Sequence, residues 1–154
     1  MEAPSLNMFN LDRLQEELIR DEGSSLASYR DTKGKWTIGV GHLLGDSPRI
    51  TWITPDECKA FLLYDINIAL KLAKSCIPKF DSLDDVRQRA LVNMAFNRGN
   101  NMRTSSTITP AINKAIDDET WWLVKEAIAI SPWRSQVGIR ADRISHMLET
   151  GNAV

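Results

Sequence analysis

Cysteine is nearly absent from this sequence: Cys58 and Cys76 are the only two in 154 residues. Both fall on what reads as one long helix, which separates them by roughly 27 Å at about 1.5 Å per residue. A disulfide tolerates Cα atoms only about 4.4–6.8 Å apart. The pair therefore reads as free thiols, small hydrophobes in a core. With two histidines in all, no plausible zinc ligand set exists, and no metal or other cofactor is expected. A run of about 18 apolar residues is also missing, which excludes a transmembrane helix. The opening "MEAPSLNMFNLDRLQEEL" lacks a basic segment followed by an apolar one, so no secretory leader is read there. An excess of one charge is lacking too: 19 Lys and Arg against 20 Asp and Glu give a net charge of -1, mixed along the chain. Nucleic-acid arms and polybasic membrane anchors need clustered positive charge, and a helix-turn-helix module needs a basic stripe. No nucleic-acid partner and no membrane insertion are expected. There is no internal repeat and no low-complexity segment.

What is present is ordinary globular composition, 43% hydrophobic and 25% charged, at a length that suits one domain with a sizeable core. A first helix is expected over 11–22, capped by Asn10 and stopped by Gly23, with Leu11, Leu14, Leu18 and Ile19 on one face. The period then changes. "LASYRD", the turn "DTKG" and "KWTIGVGH" read as a β-hairpin with Asp first and Gly fourth in the turn, and "RITWIT" reads as a third short strand. "TPDE" at 54–57 combines a Thr54 cap, Pro55 at the first helical position and Glu57 completing a capping box. The helix it opens, with Ala60, Phe61, Leu63, Ile66, Leu70, Ala73 and Ile77 as apolar positions, runs to Pro78. The remainder is helical: "SLDDVRQRALVNMAFNR" capped by Ser82 and ending at Gly99, then "TPAINKAI", "ETWWLVKEAIAI" and "QVGIRADRISHMLET", closed by Gly151. "GNNMRTSS" reads as a mobile loop. The expected fold is α+β: a small hairpin lobe over 10–54, a connecting helix over 55–78, a helical lobe over 79–154, and a cleft between the lobes.

The candidate chemistry lies in "RDEGSSLASYRDTKGKWTIGVGH". Glu22 sits in the last helical turn, where the macrodipole disfavours a negative charge. That suits a proton donor better than it suits stability. Asp31 lies in a polar turn that favours the ionised form, and Thr37 on the next strand can present its hydroxyl nearby. Two carboxylates in contrasting environments are what glycosidic bond cleavage requires. Taken singly, Asp31 also serves an Asp-x-x-Gly turn, Glu22 also reads as a surface acid, and His42 also reads as a strand-end histidine partnered by Asp65. Trp121 and Trp122 read as helical core. Trp36 and Trp52 are more exposed by pattern and are candidates to touch a sugar.

The segment "RDEG…YRDTKGKWTIGVGHLL" resembles the active-site segment of T-even-type phage lysozymes, glycoside hydrolase family 24. Its Glu-x8-Asp-x5-Thr spacing is met by Glu22, Asp31 and Thr37. "FDSLDDVRQRALVNMAFNRG" and "SPWRSQVGIRADRISHMLETG" resemble two later segments of the same family, in the same order. The resemblance implies a lysozyme-like fold and a muramidase that hydrolyses the β-1,4 bond between N-acetylmuramic acid and N-acetylglucosamine. It implies Glu22 as general acid, with Asp31 and Thr37 positioning the water and inversion as the outcome. It gives Arg140 as the arginine approaching the catalytic glutamate and Arg143 as the one nearer Asp21. His42 and Asp65 correspond to a buried structural ion pair. Asn97 and Gln136, with Arg140, correspond to substrate contacts. "LLGDSPRITWI" is too short for the extra small helix of the T-even enzymes, and "GNNMRTSST" differs in composition.

The expected partners are peptidoglycan strands and the expected state is a monomer. The enzyme is expected to stay in the host cytoplasm until a holin releases it, and then to act on periplasmic peptidoglycan. A sequence pI near 6.1 leaves attraction to an anionic wall to local charges, with Arg134, Arg140 and Arg143 as candidates. Two other readings compete. A lytic transglycosylase would not need Asp31, and a silent peptidoglycan-binding protein on this scaffold would usually have lost Glu22 or Asp31.

Overall fold

The computed structural model describes residues 9–154; the first eight residues of the stretch read for a leader lie outside them. Eight helices and three strands follow one another among the described residues. The chain divides into two compact units, and the division falls within a long helix.

One unit is Asp12–Asn67. It contains most of α1 (Leu11–Glu22), whose buried residues are Leu14, Glu17 and Leu18. Ile19, expected in the core, is 44% exposed and lines a surface cavity of about 500 Å³ with Leu26, Val40 and Leu62. Gly23 ends the helix as expected: its N–H donates to the Ile19 carbonyl at 2.8 Å, with φ at 75°. Then come β1 (Ser25–Arg30), β2 (Trp36–Gly39) and β3 (His42–Gly45), an antiparallel sheet in that order. The β1–β2 turn is the expected one, with the Gly34 N–H on the Asp31 carbonyl at 2.9 Å.

The third strand is not where "RITWIT" placed it. Gly39 and Gly41 both adopt φ of 65°, a left-handed conformation that glycine takes without penalty. "GVGH" is therefore a tight turn rather than a strand continuation, and 42–45 folds straight back onto β2. Residues 51–53 flank the far side of β1 through a single bridge, Ala27 with Trp52, and through the Ser28 N–H on the Thr51 carbonyl at 3.1 Å.

α2 (Pro55–Cys76) opens with the expected capping box: the Glu57 N–H donates to Thr54 Oγ1 at 3.1 Å, and the Thr54 N–H to Glu57 Oε1 at 3.0 Å. Its buried stripe is Cys58, Leu62, Ile66, Ala69, Leu70 and Ala73. The stripe is thus rotated away from the expected Ala60 and Leu63 in the first turns. Both cysteines are free.

The other unit is Ile68–Val154 with residues 9–11. α3 (Asp85–Arg98) is buried continuously from Gln88 to Ala95, the mark of a central helix. Its cap is Asp84, which accepts the Arg87 N–H at 3.1 Å, and not Ser82. The Ser82 hydroxyl instead donates to the Lys79 carbonyl at 2.7 Å, closing a 3-10 turn over Phe80–Ser82. "GNNMRTSS" is no loop: it forms α4 (Asn100–Thr104), pinned by Met102, which is 0% exposed. α5 (Ile108–Asp118) and α6 (Trp121–Ala129) follow. Trp121 is buried as expected, but Trp122 is 56% exposed. The last expected helix is split at Gly138, φ 59° and ψ -123°, into α7 (Pro132–Val137) and α8 (Ile139–Thr150).

Candidate active site

Glu22, Asp31, Thr37, His42 and Asp65 all fall in the unit Asp12–Asn67. Glu22 ends α1, and its side chain lies on the turn between β2 and β3. A Cβ added at Gly41 would come within 2.8 Å of Glu22 Oε2 and 3.0 Å of its Cδ. The turn approaches this closely because residue 41 has no side chain. The neighbouring Asp21 has its side chain 1% exposed and meets Arg20 Nε at 3.2 Å.

Asp31 is held by its own hairpin. Its Oδ1 accepts the Lys33 N–H at 2.9 Å and the Lys35 N–H at 2.8 Å, an arrangement that fixes the carboxylate while pinning the turn. Thr37 is 4% exposed, and its hydroxyl donates to the Lys35 carbonyl at 3.2 Å. Asp31 and Thr37 therefore grip the same residue, Lys35, and the hairpin that orders one orders the other. Tyr29 pairs in register with Thr37 across β1 and β2, which puts both side chains on one face of the sheet. The Tyr29 phenol is raised above its ordinary value by burial, then by the negative charges of Glu22 and Asp31. Both carboxylates thus act on one side chain.

His42 Nδ1 meets Asp65 Oδ2 at 2.7 Å, and the imidazole stacks on Phe61 with centroids 4.7 Å apart. This pair ties the start of β3 to α2. The Asp65 carboxyl is raised above the usual carboxylate value because burial outweighs the opposing hydrogen bond and charge of His42. Trp36 carries the Arg30 guanidinium 5.1 Å from its ring centroid, and Trp52 is 60% exposed.

Asn97, Gln136, Arg140 and Arg143 belong to the helical unit. Asn97 is exposed at the end of α3, and its Oδ1 accepts the Trp133 Nε1 proton at 2.7 Å. Gln136 is exposed on α7 and Arg143 is half-buried on α8. Arg140 is 6% exposed, with Nε donating to Asn93 Oδ1 at 3.0 Å. Among the described residues no three His, Cys, Asp or Glu side chains converge as a metal site needs. No helix among them is long and apolar enough to cross a membrane.

A sequence profile of the phage lysozyme family matches residues 20–138, more than half of the chain. The chain belongs to the phage lysozyme family. Two relatives from Dictyostelium discoideum agree: "Probable T4-type lysozyme 1" is 29% identical over 164 aligned residues, and "Probable T4-type lysozyme 2" is 26% identical over 163. Each alignment covers 90% of this chain and 94% of the relative. The "Pre-baseplate central spike protein Gp5" of Enterobacteria phage T4 is 30% identical over 164 residues, which span 90% of this chain but 28% of that protein.

As a phage lysozyme, the chain is a peptidoglycan hydrolase of the muramidase kind. The matched stretch contains Glu22, Asp31, Thr37, His42, Asp65, Asn97 and Gln136 and stops before Arg140 and Arg143. Tyr29 and Gly41 were not singled out from sequence. The alternation of "SYRD" against "KWTI" could have put Tyr29 opposite Thr37. Nothing local indicates that Gly41 touches Glu22, 19 positions earlier.

Proposed function

We propose that this lysozyme hydrolyses the β-1,4 bond between N-acetylmuramic acid and N-acetylglucosamine with two carboxylates in separate roles. Glu22, supported over the Gly41 turn, protonates the departing glycosidic oxygen. Asp31, immobilised by the Lys33 and Lys35 N–H groups, deprotonates a water aligned with the help of Thr37. Water attack opposite the leaving group inverts the anomeric carbon, and inverting enzymes hold their carboxyls about 6.5–9.5 Å apart for that purpose. His42 and Asp65 keep β3 in place beneath the Gly41 turn and take no part in the chemistry. Asn97, Gln136 and Arg140 act on the glycan, and Arg143 has a supporting role outside the chemistry. In this reading the enzyme is an endolysin of a bacterial host, monomeric and released by a holin to reach periplasmic peptidoglycan.

What supports the proposal is the geometry of the hairpin: Glu22 rests on the Gly41 turn of the same sheet in which Asp31 and Thr37 both hold Lys35. The test is loss of turbidity of outer-membrane-permeabilised Gram-negative cells, with Glu22→Gln and Asp31→Asn beside the wild type. General acid–base groups contribute about 10²–10⁴-fold, so either substitution should lower the rate by that order. An Asp31→Asn enzyme that lysed cells at the wild-type rate would replace hydrolysis with a single-acid, transglycosylase-like reaction.

A further inference from the structure

The arginines expected to draw an anionic wall are largely occupied. Arg134 spends Nε and Nη2 on the Asp142 carboxylate, at 3.1 and 2.9 Å. Arg140 is buried against Asn93. A different arginine, Arg98 in the last turn of α3, is in another condition. Its guanidinium carbon lies 5.5 Å from the centroid of Trp133, inside the range of a cation–π contact. Its Nη1 is shut off from solvent with no hydrogen-bond partner among the described residues. Burial lowers the pKa of Arg98, and no carboxylate acts to restore it.

A guanidinium that has lost water and gained no anion is held at a free-energy cost. Such a group has five N–H donors in a planar fork matched to a carboxylate. The residue is half-buried, so part of that fork remains open to solvent. Asn97, next in the chain, has its carbonyl oxygen taken by the Trp133 indole, leaving its amide N–H₂ to donate. A stacked cation and an amide donor side by side at one helix end are suited to an anion carried on a larger, partly polar ligand.

We propose that Arg98, laid over the ring of Trp133 and adjacent to Asn97, binds a carboxylate of the stem peptide that peptidoglycan carries on its muramic residues. This rests on the hydrolase reading and names a part of the substrate that this reading leaves unassigned. The glycan backbone of N-acetylated sugars is uncharged at the scissile bond, so the stem peptides supply the carboxylates. A cation that recognises them confers preference for peptide-bearing wall over a neutral glycan. Because the stem peptide is no part of the glycosidic bond being broken, the contact is made equally in ground and transition states and acts on KM rather than kcat.

The experiment measures muropeptide release from purified Gram-negative sacculi, native and with their carboxyl groups converted to amides, by the wild type and by Arg98→Gln and Arg98→Lys. Amidation should raise the wild-type KM about tenfold, the equivalent of about 1.4 kcal/mol, with kcat unchanged. Arg98→Gln should show that higher KM already on native sacculi and no further rise on amidated ones. Arg98→Lys, with charge but no fork, should fall between. The wild-type comparison does not depend on a variant folding, and thermal melts of each variant report its integrity. A wild-type KM indifferent to amidation overturns the proposal. So does an Arg98→Gln enzyme that responds to amidation by the wild-type factor. Failure of the wild type to release any muropeptide from native sacculi overturns the hydrolase reading itself, and this inference with it.

Discussion

Replacing Gly41 with alanine puts a methyl group where the Glu22 carboxylate now rests. The added Cβ would lie 2.8 Å from Oε2 and 3.0 Å from Cδ, closer than folded proteins allow, so something must move. The turn is constrained by its pairing with β2 and β3, whereas the carboxylate is the end of a flexible side chain. Glu22 therefore gives way, by several tenths of an ångström. The stability cost comes mainly from placing a non-glycine residue at φ 65°, about 1–2 kcal/mol, or a Tm lower by about 2–8 °C at roughly 2–4 °C per kcal/mol. The activity cost is larger, because a misplacement of about 1 Å at a reacting group can cost about 10²-fold. A loss of about tenfold or more in kcat is expected, with KM little changed. Gly45→Ala is the control: its φ is 99° and nothing lies within 4 Å of the added Cβ. It should show a similar fall in Tm with most of the activity kept. The assay is muropeptide release from sacculi beside a thermal melt of each variant. A Gly41→Ala enzyme with wild-type kcat, or equal activity losses in the two variants, would refute the reasoning that Gly41 positions Glu22.

His42→Gln removes the imidazole that meets Asp65 at 2.7 Å and leaves a half-buried carboxylate without that partner, costing about 1–3 kcal/mol near neutral pH. Because the Asp65 pKa in the folded state is already raised by burial and rises further in the variant, the protonated acid favours the fold at low pH. That contribution is lost as pH climbs through the raised value, so the Tm deficit against wild type should widen from about pH 4 to pH 7; a deficit constant across that range would count against the pairing. Thr54→Ala deletes one arm of the capping box seen at the start of α2. It should cost about 0.5–2 kcal/mol by denaturant unfolding, without changing kcat of the folded enzyme. Tyr29→Phe keeps the ring beside Thr37 and removes the phenolic group on which Glu22 and Asp31 act. The Tm should fall by no more than about 1–6 °C, since a half-exposed hydroxyl contributes about 0.5–1.5 kcal/mol or less; a drop well beyond that would show that its role is in folding.

Features closed within a few residues were legible in the sequence. The Thr54–Glu57 box, the Asp31–Gly34 turn and the Gly23 and Gly151 stops each depend on contacts inside one turn, and each appeared where the residue types put it. Glu22, Asp31 and Thr37 were legible as a motif, and two of them prove to share Lys35. The misses have tertiary causes. "GNNMRTSS" looks like a loop by polarity, yet burial of one side chain, Met102, is enough to hold it as a helix. The third strand was misplaced because "IGVGH" alternates like a strand, and whether its glycines turn depends on what 42–45 meets beyond them. Ser82 and Asp84 are both sound caps, and the 3-10 turn at Phe80–Ser82 decides between them. Glu22 on the Gly41 turn and Arg98 over Trp133 are encounters between separate elements. No local pattern encodes them.

The most direct test of the two-carboxylate mechanism is mass analysis of muropeptides released in water enriched in the heavy oxygen isotope. Hydrolysis requires every new reducing muramic end to carry one heavy oxygen, with release abolished in both Glu22→Gln and Asp31→Asn. Anhydro-muramic ends free of the label, or labelled ends formed at the wild-type rate by Asp31→Asn, would contradict it.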